Sequence, residues 1–103
     1  MPNEITEELL AEFKERMKLS DEENANLTRI LKASIEDLSY KCGPYDVHKS
    51  ERFKELVFER GRYAYNDALE YFDLNFKSQI LGLGLQSALS PSSTVEGNAD
   101  ETE

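Results

Sequence analysis

The chain has 103 residues, 39% of them apolar, and a formal net charge of -9 from 12 Lys+Arg against 21 Asp+Glu. That length bounds one small domain, whose core is expected to supply only about 3–5 kcal/mol, so a partner is expected to add stability. The acidic balance argues against ordinary phosphate-backbone binding, which draws its affinity from clustered Lys and Arg.

A lone cysteine, Cys42, excludes an internal disulfide framework and points to a reducing compartment. Cys42 and His48 are two soft or imidazole groups where a closed zinc site wants four, so neither metal nor cofactor is expected. No run approaches the roughly 18 apolar residues of a membrane span, and Met1-Pro2-Asn3-Glu4 lacks the order of a signal peptide. The expectation is a soluble protein, made inside the cell, with no membrane partner.

The first predicted helix runs from Thr6, as N-cap, to Lys18, with Leu9, Leu10, Phe13 and Met17 on one side and a Glu12 to Arg16 pair on the other. The second opens with the capping box Ser20-Asp21-Glu22-Glu23 and stops at Gly43-Pro44. Leu27, Ile30, Leu31, Ser34, Ile35, Leu38 and Cys42 form its apolar stripe, which makes Cys42 a buried, inert thiol. His48 falls in the loop that follows.

The third helix starts at Ser50 and is predicted to run from Glu51 to about Lys77, roughly 40 Å. Glu55, Glu59, Arg62, Asn66, Glu70, Asp73 and Lys77 line up as one narrow polar stripe at 100° per residue. Seven of the ten aromatic residues lie between Phe53 and Phe76, and the apolar arc they help form spans about 240°. One modest helix and one short one can hardly enclose such a rod, so another subunit is expected to supply the missing cover, the alternative being a small three-helix core with a generous hinge side. Arg60 and Asp67 project from within that arc and must be paired, inside the subunit or across an interface.

Gln79-Leu89 reads as a weak helix or an extended arm, because Gly82 and Gly84 together cost a helix about 2 kcal/mol relative to alanine. From Ser90 onward there are four acidic residues, no basic ones and nothing to bury, so residues 90–103 are predicted to be a disordered acidic tail on a helical domain of residues 1–89. The predicted fold class is all-α: a small three-helix bundle with a long C-terminal helix and a short fourth helical segment.

No catalytic constellation emerges. Gly82-Leu83-Gly84 lacks the strand and third glycine of a dinucleotide loop, and carboxylate pairs such as Glu55 with Glu59 or Glu70 with Asp73 lie on the solvent stripe. The chain is therefore expected not to be an enzyme. Phe53, Phe58, Arg60, Tyr65, Asp67, Leu69, Phe72 and Phe76 are the expected interface residues.

The order of residues adds a resemblance. The run Glu51-Arg-Phe-Lys-Glu-Leu-Val-Phe-Glu-Arg-Gly-Arg-Tyr-Ala-Tyr-Asn-Asp-Ala-Leu-Glu-Tyr-Phe72, continued by Asn75-Phe-Lys-Ser-Gln-Ile80, resembles the terminal helix of small head-tail connector (adaptor) proteins of tailed phages. Leu19 to Leu38, followed by Lys41-Cys-Gly-Pro-Tyr-Asp46, is similar to the preceding helix and loop of that family. The resemblance implies a subunit made in the host bacterial cytoplasm that assembles as a ring, expected to be a dodecamer, in the virion neck. Its partners would be the portal protein on one side and a stopper or tail-completion protein on the other. DNA would pass through the central channel without specific binding. From charge alone, the competing expectation is a small acidic helical interaction module, either a nucleic-acid mimic or a regulator of a basic partner.

Overall fold

A computed structural model describes residues 3–19 and 23–89. Five α-helices make up the described residues, which contain no strand: α1 (Glu7–Met17), α2 (Asn24–Cys42), α3 (Glu51–Tyr65), α4 (Phe72–Asn75) and α5 (Lys77–Leu89), with a 3-10 turn at Leu69–Tyr71 before α4. The predicted acidic tail at 90–103 and the Ser20 half of the predicted capping box lie outside the described residues.

Local signals account for most helix ends. Thr6 caps α1 by accepting the Leu9 amide at 3.1 Å, and Ser50 caps α3 by accepting the Phe53 amide at 3.2 Å. Lys18 closes α1 in a left-handed conformation (φ 59°). At the end of α2, Gly43 adopts φ 106° with ψ -179°, a region only glycine occupies readily. Pro44 then bars continuation.

The α2 stripe packs on α3. Leu27, Leu31, Ser34, Ile35, Leu38 and Cys42 are all buried against Phe53, Leu56, Val57 and Phe58. Helix α1 closes one side with Leu9 and Phe13, and Phe13 lies 5.5 Å from Phe58 between ring centroids. Gly61 makes this approach possible, since a Cβ there would meet the Phe13 ring at 2.7 Å. The expected Glu12 to Arg16 pairing gives way to cross-helix pairs: Arg16 binds Glu55 at 2.6 Å and Glu59 at 3.0 Å, and Lys54 binds Glu12 at 3.0 Å.

The long third helix is not continuous. It ends at Tyr65, and the chain turns back through Asn66, Asp67 and Ala68. The Ala68 amide bonds Tyr63 O at 2.8 Å and the Asp67 amide bonds Ala64 O at 3.1 Å, the two bonds of a Schellman motif. Asp67, at φ 60°, holds the left-handed position that glycine usually fills. Neither Gly nor Pro marks this break, so burial decides it. Folding back buries Phe72 and Leu83. At about 1.5–3 kcal/mol for each such side chain, this outweighs the roughly 1–2 kcal/mol of one left-handed non-glycine residue.

The three-helix bundle with a long C-terminal rod is therefore corrected to a five-helix globule in which the chain covers much of its own apolar arc. Gln79-Leu89, predicted as a weak helix or an arm, belongs to α5. Its Gly84 permits close packing on α2, because a Cβ there would stand 3.3 Å from Lys41 O.

Candidate interaction surface

Among the described residues, the packing above leaves Tyr40 of α2 and a run of side chains from Leu69 to Leu89 apolar and uncovered. In α5, Leu81, Leu85 and Leu89 recur every four residues and are 60%, 61% and 72% exposed. Residues at this spacing share one helix face. Backbone hydrogen bonds carry the pairing from α4 into α5, with Phe76 N–H donating to Phe72 O and Phe76 O accepting from Ile80 N–H. Leu74, 76% exposed, lies one heptad before Leu81, and both line a shallow groove beside Lys41 and Asp73. Leu69 and Tyr71, just before α4, are also exposed. Gly82 adds an open spot, since a Cβ there would meet nothing within 4 Å.

Residues 77–89 contain one basic residue, Lys77, and no acidic residue, in a chain of net charge -9. The flank formed by α1 and α3, by contrast, is knitted by ion pairs, and its Glu55 and Glu59 border a groove shared with Gln79 and Gly82 of α5. Arg16 grips both oxygens of Glu55, which holds the Glu55 carboxyl below its usual range and raises the Arg16 guanidinium. Glu59 is shared between Arg16 and Arg62, at 3.0 and 2.6 Å. These carboxylates, weighed from sequence as acid-base candidates, are engaged in holding α1 to α3.

A second polar network ties the C-terminal segment to the core. Asp37 on α2 accepts from Arg60 at 3.1 Å and pairs with Lys41 at 2.9 Å, and Lys41 reaches Asp73 at 2.7 Å. Partial burial works against the Lys41 charge, but the bonds to Asp73 and Asp37 outweigh it, so its pKa is raised. Tyr45 stacks on Phe53 at 5.5 Å and donates its hydroxyl to Leu83 O at 2.7 Å. Burial raises the Tyr45 phenol, as it does the Cys42 thiol, which lies 3.8 Å from Ile80 O. His48 donates Nε2–H to Glu4 O at 2.7 Å and so pins the N-terminal segment to the α2–α3 loop.

The eight residues expected at an interface are distributed unevenly. Phe53, Phe58 and Phe72 are buried within the subunit. Phe76 is half-buried in an aromatic cluster, 5.0 Å from Phe72 and 5.7 Å from Tyr63. Arg60 finds its partners internally, in Asp37 and Ser34. Tyr65 is half-buried and donates its hydroxyl to Glu23 at 2.7 Å. Asp67 sits exposed in the turn after α3, not within an apolar arc, and Leu69 is 40% exposed.

Sequence reasoning does not single out Tyr71, Leu74, Leu81, Leu85 and Leu89. The i, i+4 recurrence of the last three is the available signal, and the alternation of leucine with Gly82 and Gly84 obscures it.

Among the described residues, no group of three or more His, Cys, Asp or Glu side chains is placed to hold a metal ion. No helix among them is long and apolar enough to cross a membrane. Comparisons with protein-family models, curated proteins and solved structures return no match.

Proposed function

We propose that this chain is a structural head-tail connector subunit of a tailed phage virion. It forms a ring of identical copies, expected to be a dodecamer, between the portal protein and a stopper or tail-completion protein, and leaves a channel through which DNA passes. The observation that carries this reading is the uncovered face of Leu74, Leu81, Leu85 and Leu89 on a segment without acidic side chains. A contiguous apolar face of this kind on a small acidic protein marks a site of protein contact. The resemblance of Glu51 to Ile80 to the connector family supplies the identity of the assembly, and a ring is what one heterologous contact produces when its rotation closes.

In this role no residue performs chemistry, and the acidic remainder of the surface keeps DNA phosphates from adhering in the channel. The reading is tested by mixing the purified chain with a cognate portal ring and imaging the product by electron microscopy. A ring of the chain stacked coaxially on the portal is the expected result. Binding that vanishes entirely in moderate salt, with no ring, would instead favour the acidic interaction module suggested by the net charge of -9.

A further inference from the structure

We propose that the segment from Leu69 to Leu89 exchanges between neighbouring copies, with Asn66–Ala68 as the hinge. This inference rests on self-assembly as proposed above and adds a second contact to that of the leucine face.

The sequence and the fold part company first at this turn, before the 3-10 turn at Leu69–Tyr71 and the short break at Phe76. The polar stripe of Glu55, Glu59, Arg62, Asn66, Glu70, Asp73 and Lys77 keeps helical register straight through the turn, and neither Gly nor Pro enforces the break. Asp67 instead occupies a left-handed conformation that costs a non-glycine residue free energy. A short hinge under strain is the usual setting for exchange of an element between copies.

The alternative state is a rod in which α3 continues through 66–68 and onward through Leu69–Tyr71 and Phe76 into α5. Tyr45 stacks on Phe53 near the start of α3. In a straight rod Leu83 lies thirty residues beyond Phe53, about 45 Å along the axis, out of reach of its own Tyr45. The site it leaves is specific: a Tyr45 hydroxyl that bonds Leu83 O, Lys41 as counter-ion for Asp73, and Tyr63 as edge-on partner for Phe72. Only a segment with the same spacing, carried by a second copy, satisfies all three.

The interactions that straightening breaks within one chain re-form between chains, and the hinge relaxes. Each copy donates its segment to one neighbour and receives a segment from the other, and such head-to-tail exchange is heterologous and propagates until it closes. The exchanged segment takes the seat of the resident one, so Leu81, Leu85 and Leu89 remain outward-facing, and their cover comes from a further contact with a neighbouring copy.

Two measurements test this. Asp67→Gly favours the turn and Asp67→Ala favours the continuous helix, so sedimentation velocity should show association weakened by the first and strengthened by the second, each about 3- to 10-fold. Equal responses, or none, overturn the hinge. Spin labels at Tyr40→Cys and Gln86→Cys, in a Cys42→Ala background, flank the packed pair α2 and α5. In the monomer they report a short distance within one chain. In an assembly diluted with unlabelled protein, that short distance should disappear. If assemblies form and the short distance persists, exchange is wrong while ring formation stands. If even Asp67→Ala stays monomeric at every concentration and with portal present, both fail.

Discussion

Replacing Leu81 and Leu85 by glutamine separates assembly from folding. Both side chains are about 60% exposed in the subunit, so removing them should change the unfolding free energy by no more than about 0.5 kcal/mol each. Helix propensity is nearly neutral, because leucine and glutamine rank together. Complete burial of a leucine stabilises by about 1.5–3 kcal/mol. Covering the remaining 60% at a subunit contact therefore contributes roughly 1–2 kcal/mol per residue, or about 2–4 kcal/mol for the pair. That corresponds to roughly 30- to 1,000-fold weaker association. Sedimentation velocity across a dilution series reads the association, and thermal circular dichroism reads the fold. Unchanged association in the double variant would refute the assignment of this face. A melting temperature lowered by many degrees would show that these leucines belong to the core.

Four further outcomes follow from the packing. Gly61→Val should destabilise by about 2–3 kcal/mol, since a Cβ already meets the Phe13 ring at 2.7 Å, whereas Gly82→Ala should stabilise by up to about 1 kcal/mol because nothing lies within 4 Å; chemical denaturation of the two variants checks both signs. Asp37→Ala removes a partner from both Arg60 and Lys41 and should cost about 1–3 kcal/mol in the same assay. In alkali, stability should fall as pH rises above about 9, because the unfolded chain releases the protons of Cys42 and Tyr45 before the folded chain does; Lys41 and Lys54, raised in the fold, add the same trend above about 10.5. Melting curves of Cys42→Ala should lose the first part of that decline. In acid, Glu55 supports the fold above its unfolded value near 4.5, and that support is lost as pH falls through its lower folded value; at 59% exposure it amounts to less than about 1 kcal/mol, read as a small change in the acid melting profile of Glu55→Gln.

Legibility in the sequence follows the range of the interactions involved. The caps at Thr6 and Ser50, the stop at Gly43-Pro44 and the α2 stripe are local features, and each is readable because neighbours within four residues determine it. The break at Asn66–Ala68 is not, because nothing within that tripeptide forbids a helix. Burial of Phe72 and Leu83, and the reach of Lys41 to Asp73, come from residues distant in sequence. Gly84 misleads for a related reason. Its cost to the helix is local, while its benefit is a close approach to the backbone of Lys41, far along the chain. The same logic explains where the residues expected at an interface fall. Aromatic richness from Phe53 to Phe76 marks apolar surface correctly, but the chain turns most of it inward and leaves the outward face to leucines.

Native mass spectrometry of the intact chain across a concentration series, alone and with a cognate portal ring, tests the central claim most directly. A closed oligomer of one stoichiometry, absent in the Leu81→Gln, Leu85→Gln double variant, is the predicted result. A monomer at every concentration that also leaves the portal bare would contradict the account.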